Sequence, residues 1–278
     1  MNVTDITDFI TKHKYIFIIV LGIIFYEIWF YYKHKHKHEH KHEHKHKHQR
    51  TQTKFSFDNI NEKKSISVTK DFPPIRMFEH VLTPEECEEI IQLGKPRLER
   101  SLLDDGVDGK TGSARTSSQA WIKPTELPCL EKLSHYVSKI TGLPVQNQEE
   151  WQLLRYYPGQ EYKHHYDAAS PNTEDYEAMR ENDRKRGWGQ RVYTFFIYLN
   201  DVPEGGETDF PRIGVRVQPI GGTAILWENL TKDRKERHIL SEHAGMPVKK
   251  GVKWAINVWV REKSIYTFNE GIKRFFGY

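Results

Sequence analysis

The sequence predicts a mainly β domain with flanking α-helices, preceded by a single transmembrane helix. From Trp151 onward the chain consists of short runs rich in β-branched and aromatic residues, separated by glycine and proline turns. Near the N-terminus, in contrast, an almost uncharged apolar run is followed by a long polar tract. Short strands at such spacing predict a sandwich or barrel, and a double-stranded β-helix (jelly roll) is one of the few ways to close it.

The predicted transmembrane helix covers residues 15–32, after a short tail at residues 1–14. Its sequence, YIFIIVLGIIFYEIWFYY, carries one formal charge, at Glu27. At 1.5 Å per residue such a run spans about 27 Å, the low end for a helix that crosses a bilayer. A cleaved signal peptide is the alternative, but no small-residue cleavage site follows the apolar run.

Residues 33–64 are predicted to be a disordered His/Lys-rich linker. Their first half reads KHKHKHEHKHEHKHKH, and a tract without apolar residues cannot bury enough surface to offset the entropy of ordering. The alternating histidines could also bind metal ions, but a flexible spacer beside a membrane is favoured. More lysines follow the apolar run than precede it, so the positive-inside rule alone favours a cytosolic folded part.

Length and charge limit the remaining choices. The 278 residues accommodate one catalytic domain, predicted at residues 65–263, with a C-terminal tail at residues 264–278. The formal net charge is only +4, and much of the basic excess lies in the linker, so nucleic acid is not expected as a partner. Cys87 and Cys129 could pair in an oxidising compartment or remain two buried thiols.

Two helices are predicted within the domain, after an extended segment from Phe72 to Leu82. Thr83 and Pro84 form an N-cap and first helical residue for a helix that ends near Gly94. A second helix runs from about Leu127 to Ile140, with Gly142 as its stop. The predicted strands are Gln152–Tyr157, Arg191–Leu199, Gly214–Val217, Thr223–Trp227 and Trp254–Val260.

A candidate metal site begins at His165-Tyr166-Asp167. Residues two apart in a strand point to the same side, so His165 and Asp167 can converge on one point. His243, which precedes a predicted strand, is the candidate third ligand. His238 is the alternative, but it lacks the ten-residue step to a lysine. Two histidines and one carboxylate on one face form the facial triad of non-haem iron(II) oxygenases, which leaves coordination positions open.

A lysine follows the third candidate ligand at that step. Lys253 opens the run KWAINVWV, and a strand that runs back past the metal would aim its ammonium into the same cavity. There a cation would meet the distal end of a dicarboxylate.

Six segments resemble one known family in the same order along the chain. They are the helix containing Cys87, 113–121 (SARTSSQAW), 154–167 (LRYYPGQEYKHHYD), 191–210 (RVYTFFIYLNDVPEGGETDF), 222–227 (GTAILW) and 243–255 (HAGMPVKKGVKWA). Together they are similar to the prolyl 4-hydroxylases over about residues 70–262. The polar segment between Asp167 and Arg191 departs from the pattern in its high charge, and we expect a mobile lid there.

The resemblance implies a role for each candidate site residue. His165, Asp167 and His243 would hold Fe(II), while Lys253 would pair with the C5 carboxylate of 2-oxoglutarate and Tyr156 would donate a hydrogen bond to it. Tyr162, Arg191 and Trp259 would line the pocket or the peptide groove. A core aromatic at Tyr156, a solvated surface lysine at Lys253 and packing roles for the last three are the alternatives.

The implied reaction is hydroxylation of proline at C4 in proline-rich or collagen-like polypeptides. 2-Oxoglutarate would be decarboxylated to succinate with O₂ as the oxidant, and ascorbate would serve as the reductant. The alternatives are a lysyl or other peptide hydroxylase with the same iron site and a non-catalytic membrane-tethered binding module.

The resemblance also bears on location. It implies a single-pass protein of an endoplasmic-reticulum-type membrane with a lumenal domain, against the lysine count. Orientation and oligomeric state stay open.

Overall fold

The computed structural model describes residues 60–66, 72–101, 113–170 and 187–266. The predicted transmembrane helix at 15–32 lies outside these ranges, as do most of the predicted linker and the central part of the predicted lid. Among the residues described, no helix is both long enough and apolar enough to cross a membrane.

The described ranges contain fourteen β-strands and two α-helices. The strands are β1 (Asn61–Ile66), β2 (Ile75–Glu79), β3 (Glu99–Arg100), β4 (Ser118–Ile122), β5 (Trp151–Tyr156), β6 (Tyr162–His165), β7 (Arg191–Tyr198), β8 (Glu204–Gly205), β9 (Thr208–Phe210), β10 (Val215–Val217), β11 (Thr223–Glu228), β12 (His243–Gly245), β13 (Val248–Lys250) and β14 (Lys253–Arg261). The helices are α1 (Pro84–Gly94) and α2 (Pro128–Thr141). Because β1 begins at Asn61, regular structure starts before the predicted domain boundary at residue 65, within the predicted linker.

Both helices have the ends that the sequence predicts. At the start of α1 the Glu86 backbone N–H donates to Thr83 Oγ1 at 3.2 Å, and the Thr83 N–H donates to Glu86 Oε2 at 2.8 Å. Such a capping box satisfies donors that the first turn leaves unpaired, and its loss typically costs about 1 kcal/mol. Helix α2 is capped at its C-terminus by Gly142. Its φ of 70° is a left-handed conformation that residues with a side chain rarely adopt.

The strands form a double-stranded β-helix, as predicted. The large sheet has the order β1-β2-β11-β7-β14-β5-β4-β3, and the small sheet has the order β10-β9-β12-β6. A two-stranded ribbon, β13-β8, completes it. Strands β6, β9 and β12 are only three or four residues long, too short for sequence periodicity to reveal, and they form most of the small sheet.

The central strand β7 supplies both halves of the core. Phe195 and Ile197 pack in one cluster with residues of α1 and α2. Phe196 and Tyr198, which point to the other side, pack with Phe210 of the small sheet. The large sheet is therefore covered by helices on one face and by the small sheet on the other, which leaves the functional site to open between the sheets.

The two cysteines, whose pairing the sequence leaves open, are free and buried. Burial raises the pKa of Cys87 and that of Cys129 to about 11. At pH 8 only about 0.1% of each thiol would be thiolate, the reactive form.

We therefore expect the native chain to react with a thiol reagent hundreds of times more slowly than an unfolded chain. Unreduced protein in denaturant should titrate two thiols, whereas a titre near zero in denaturant would reveal a disulfide and contradict the structure.

Candidate active site

Two short strands bring the predicted metal ligands together. His165 ends β6 and His243 begins β12, and antiparallel pairing places the two residues directly opposite each other. Asp167 lies just past the end of β6. Its Oδ1 is 3.7 Å from His165 Nε2, and its Oδ2 is 3.7 Å from His243 Nε2. One nitrogen or oxygen atom from each residue lies within 4.8 Å of the other two, close enough to share a metal ion.

Backbone carbonyls orient both imidazoles. His165 Nδ1 is 2.8 Å from the Lys163 carbonyl oxygen, and His243 Nδ1 is 2.9 Å from that of Ser241. Since a carbonyl only accepts, each Nδ1 carries the proton and each Nε2 offers its lone pair toward Asp167. The histidine rings lie 4.3 Å apart between centroids.

Burial and proximity favour the protonation states that a metal requires. Burial, together with the neighbouring His243, holds the pKa of His165 well below its ordinary value. Burial opposes the charge on Asp167, but His243, His165 and Arg191 outweigh it and lower the pKa of this carboxyl. Neutral imidazoles and an ionised carboxylate are the forms that bind metal. Two nitrogens and one oxygen on one side suit Fe(II) with open positions, so the residues fit the ion.

Lys253 is a buried lysine that forms no ion pair with a carboxylate of the described residues, although Glu207 acts on it from farther away. It is 2% exposed, and its Nζ donates to the Gly206 carbonyl at 2.7 Å. The rings of Tyr156, Phe196 and Tyr198 surround it, with Nζ 5.2–5.5 Å from their centroids. Burial lowers the pKa of Lys253 to about 7. The alternative interpretation of Lys253 as a solvated surface lysine is therefore wrong. A buried ammonium at this position would be stabilised by the carboxylate of a bound ligand.

Tyr156 lies across the sheet from this lysine. The antiparallel register of β5 and β14 pairs the two residues. Tyr156 is 4% exposed and belongs to the core between the sheets. The alternative role as a core aromatic therefore applies to Tyr156. A Cβ added to Gly245 of the small sheet would lie 4.0 Å from its hydroxyl, so the hydroxyl reaches across to β12, the strand of His243.

Two glycines shape the wall beside Lys253. Gly205 and Gly206 have φ of 77° and 73°, values that a residue with a side chain rarely adopts. A Cβ on Gly205 would overlap the Pro247 carbonyl oxygen. The pair therefore lets the backbone turn close to β13 and direct the Gly206 carbonyl at the ammonium.

The three predicted groove residues are close to the metal ligands or to one another. Tyr162 stacks on His165, with ring centroids 3.5 Å apart. The Arg191 guanidinium lies 3.6 Å from the centroid of the Trp259 ring and donates to both oxygens of Glu149, at 2.7 and 3.0 Å. Arg191 and Trp259 are both buried, so each also packs.

His238, the alternative third ligand, is not part of the cluster. Its Nδ1 accepts a hydrogen bond from the Leu240 N–H at 3.2 Å, and its ring packs against Phe72. It caps the short 3₁₀ turn that leads to His243.

Sequence reasoning missed three polar residues of the site. Thr194 donates to Asp167 Oδ2 at 2.6 Å, Asn229 donates to Thr194, and Glu149 binds Arg191. One signal was available: Thr194 has the same parity in β7 as the inward-facing Phe196 and Tyr198, so it is a polar residue on a buried face. Nothing local marks Asn229 or Glu149.

Comparison with known families and proteins agrees with this geometry. Residues 151–261 match the 2OG-Fe(II) oxygenase superfamily. This range runs from β5 to β14 and includes the three candidate ligands and Lys253.

Among relatives, the chain is 36% identical over 195 residues to prolyl 4-hydroxylase subunit alpha-1 of Gallus gallus, which covers 69% of this chain. The match covers 36% of that subunit, so the chain spans about a third of the length of such relatives. A putative prolyl 4-hydroxylase of Acanthamoeba polyphaga mimivirus is 32% identical over 67% of this chain and 74% of that protein.

Among solved structures, a viral collagen prolyl hydroxylase from Paramecium bursaria Chlorella virus-1, in complex with 2-oxoglutarate, superposes with a TM-score of 0.53 at 27% identity. The match covers 67% of this chain and 95% of that one. With its fold, its His-Asp-His cluster and these relatives, the chain belongs to the prolyl 4-hydroxylase family of Fe(II)- and 2-oxoglutarate-dependent dioxygenases.

Proposed function

We propose that the chain hydroxylates peptidyl proline at C4 in proline-rich or collagen-like polypeptides. The observation that carries the proposal is the pairing of a His-Asp-His group able to hold a metal with a buried lysine that forms no ion pair with a described carboxylate, in the cavity of a jelly roll. The bound iron and 2-oxoglutarate would supply the oxidant: one atom of O₂ enters the substrate C–H bond, the other enters succinate, and CO₂ is released.

The chain's own residues would bind and orient the reactants. His165, Asp167 and His243 would hold Fe(II). Lys253 would pair with the C5 carboxylate of 2-oxoglutarate, and the Tyr156 hydroxyl would donate a hydrogen bond to the same group. The dry aromatic wall around Lys253 would exclude water from this end of the cavity.

Proline is the preferred target because of the relatives and because of the aromatic surfaces near the site. Trp259 lies 6.3 Å from Trp121 between ring centroids and carries the Arg191 guanidinium on its ring. The half-buried rings of Trp121 and Tyr162 would line a groove of the kind that docks extended, proline-rich segments, and the buried Trp259 would support Trp121 from below. Ascorbate would keep the iron reduced, and the predicted helix at 15–32 would tether the enzyme to a secretory membrane.

The test uses the full chain in detergent with Fe(II), 2-oxoglutarate, O₂ and ascorbate. A collagen-like peptide is compared with a version in which alanine replaces every proline while its lysines remain. We expect mass spectrometry to find one added oxygen per modified proline, matched by succinate, and no product from the alanine version. Formation of hydroxylysine in either peptide would show that lysine, and not proline, is the target. Absence of turnover with both peptides would contradict the proposal.

One prediction for this site concerns the metal ligands. His165→Ala or His243→Ala should reduce peptide-coupled succinate release by more than the roughly 100-fold that loss of an outer-shell partner can cost. The matched control is His164→Ala, because His164 lies beside His165 but is exposed and pairs with Asp209, which is not a candidate metal ligand. Normal turnover in either ligand variant would remove that residue from the site.

A second prediction concerns the pH dependence of cosubstrate binding. Burial lowers the pKa of Lys253 to about 7 in the free enzyme, and a bound carboxylate would raise it. Below pH 7 the ammonium is already present. Above pH 7 binding must take up a proton, so affinity for 2-oxoglutarate should fall by up to about tenfold per pH unit until the bound-state pKa is reached.

Calorimetry in buffers of different ionisation enthalpy measures this uptake directly. At pH 8 we expect it to approach one proton per 2-oxoglutarate bound. Lys253→Arg is the matched control, since a guanidinium stays charged; it should bind more weakly but without proton uptake. Wild-type binding at pH 8 without uptake would mean that Lys253 is already protonated in the free enzyme.

A further inference from the structure

A chain of buried hydrogen bonds lies behind Asp167. Thr194 Oγ1 donates to Asp167 Oδ2 at 2.6 Å, and Asn229 Nδ2 donates to Thr194 Oγ1 at 2.9 Å. Thr194 and Asn229 are both 0% exposed, so no solvent competes for these groups. Neither residue is a candidate metal ligand, and neither forms part of the lysine pocket.

The two bonds have a fixed direction. A hydroxyl has one proton, and an amide nitrogen can only donate. Because Asn229 donates to the Thr194 oxygen, the hydroxyl proton must point at the carboxylate. The other end of the Asn229 amide, Oδ1, is buried and has no hydrogen-bond partner among the described residues. Leaving a buried polar atom unpaired is costly. The Asn229 amide nevertheless keeps the orientation in which Nδ2 donates to Thr194.

The backbone of Asn229 extends the connection to a second metal ligand. Its carbonyl accepts a hydrogen bond from the His238 N–H at 2.8 Å, and the His238 carbonyl accepts from the Ser241 N–H and hydroxyl at 3.0 and 2.7 Å. The Ser241 carbonyl in turn orients His243 through Nδ1. Asn229 is thus joined to Asp167 through its side chain and to His243 through the turn.

We propose that Thr194 and Asn229 are positioning residues that keep Asp167 a single-oxygen ligand. A short bond from a hydroxyl to a carboxylate is strong and occupies a lone pair of Oδ2. This disfavours binding of a metal by both oxygens. An otherwise bidentate Asp167 would fill one of the three positions that the facial triad leaves open for 2-oxoglutarate and O₂. The proposal rests on iron binding by the triad and not on which peptide is hydroxylated.

The experiment compares Thr194→Val, which keeps the shape and removes the hydroxyl, with Thr194→Ser, which keeps the hydroxyl. Under anaerobic conditions Fe(II) and 2-oxoglutarate are titrated into the full chain, and the visible charge-transfer band of their chelate is recorded. We expect Thr194→Val to weaken or shift the band and to raise the 2-oxoglutarate dissociation constant about 10–100-fold. Thr194→Ser should stay within about threefold of wild type.

A second variant reverses the bond without removing the hydroxyl. In Asn229→Asp a carboxylate would accept the Thr194 proton and draw it from Asp167, so the band should change as in Thr194→Val. Thr223→Val is the matched control, because the Thr223 hydroxyl donates to the Ile220 carbonyl, away from the site. Melting temperatures of the metal-free proteins, measured in parallel, separate this effect from a loss of fold.

The outcomes are distinct. If a folded Thr194→Val protein gives a wild-type band and wild-type 2-oxoglutarate affinity, the positioning role is excluded. Equal losses in Thr194→Ser and Thr194→Val would also overturn it, because the hydroxyl would then not be the cause. If the wild-type chain forms no Fe(II)–2-oxoglutarate chelate at all, the assignment of the iron site is wrong. That result is distinguishable from a failure of the positioning role alone.

Discussion

The antiparallel pairing of β12 with β6 is the constraint on which the site depends. It places His243 opposite His165, and β12 is held from its other side by β9. Directly opposed residues have Cβ atoms about 4.5–5.5 Å apart, so the backbone alone sets the separation of the two imidazoles. Asp167 lies two residues after the end of β6, and this position brings its carboxylate close to both imidazoles. A slip of one residue would turn His243 to the opposite face of the sheet and dissolve the cluster.

Charge balance links the two ends of the cavity. A divalent ion held by neutral histidines and the Asp167 carboxylate leaves one positive charge uncompensated, and protonated Lys253 adds another. 2-Oxoglutarate brings two negative charges, one for each end. Burying an unpaired charge is costly, so the metal and 2-oxoglutarate each offset the cost of burying charge of the opposite sign. Binding of metal should therefore favour binding of the cosubstrate, and the reverse must hold to the same degree.

The sequence predicted the parts of the site whose residue types are chemically distinctive. A metal or carboxylate site is indicated by residue type alone in a histidine and an aspartate two residues apart, a later histidine, and a lysine ten residues after it. The resemblance to known enzymes then assigned a role to each of these residues. Thr194 and Asn229 do not, because a threonine in a β-strand and an asparagine after one are ordinary. The long strands β7 and β14 were predicted nearly to their ends. Strands β6 and β12 were missed because three or four residues show no period, although their pairing creates the metal site.

Glu149 illustrates how far the site extends beyond the residues that contact reactants. Burial opposes its charge, but Arg191 and Arg261 outweigh this and lower the pKa of Glu149. One carboxylate between two guanidinium groups leaves a net positive charge, and Arg191 conveys part of it to Asp167. The bidentate pair with Glu149 also sets the guanidinium plane over Trp259. Without Glu149 two buried cations would lose this shared carboxylate, so a residue outside the metal site holds Arg191, which contributes to the low pKa of Asp167, in place.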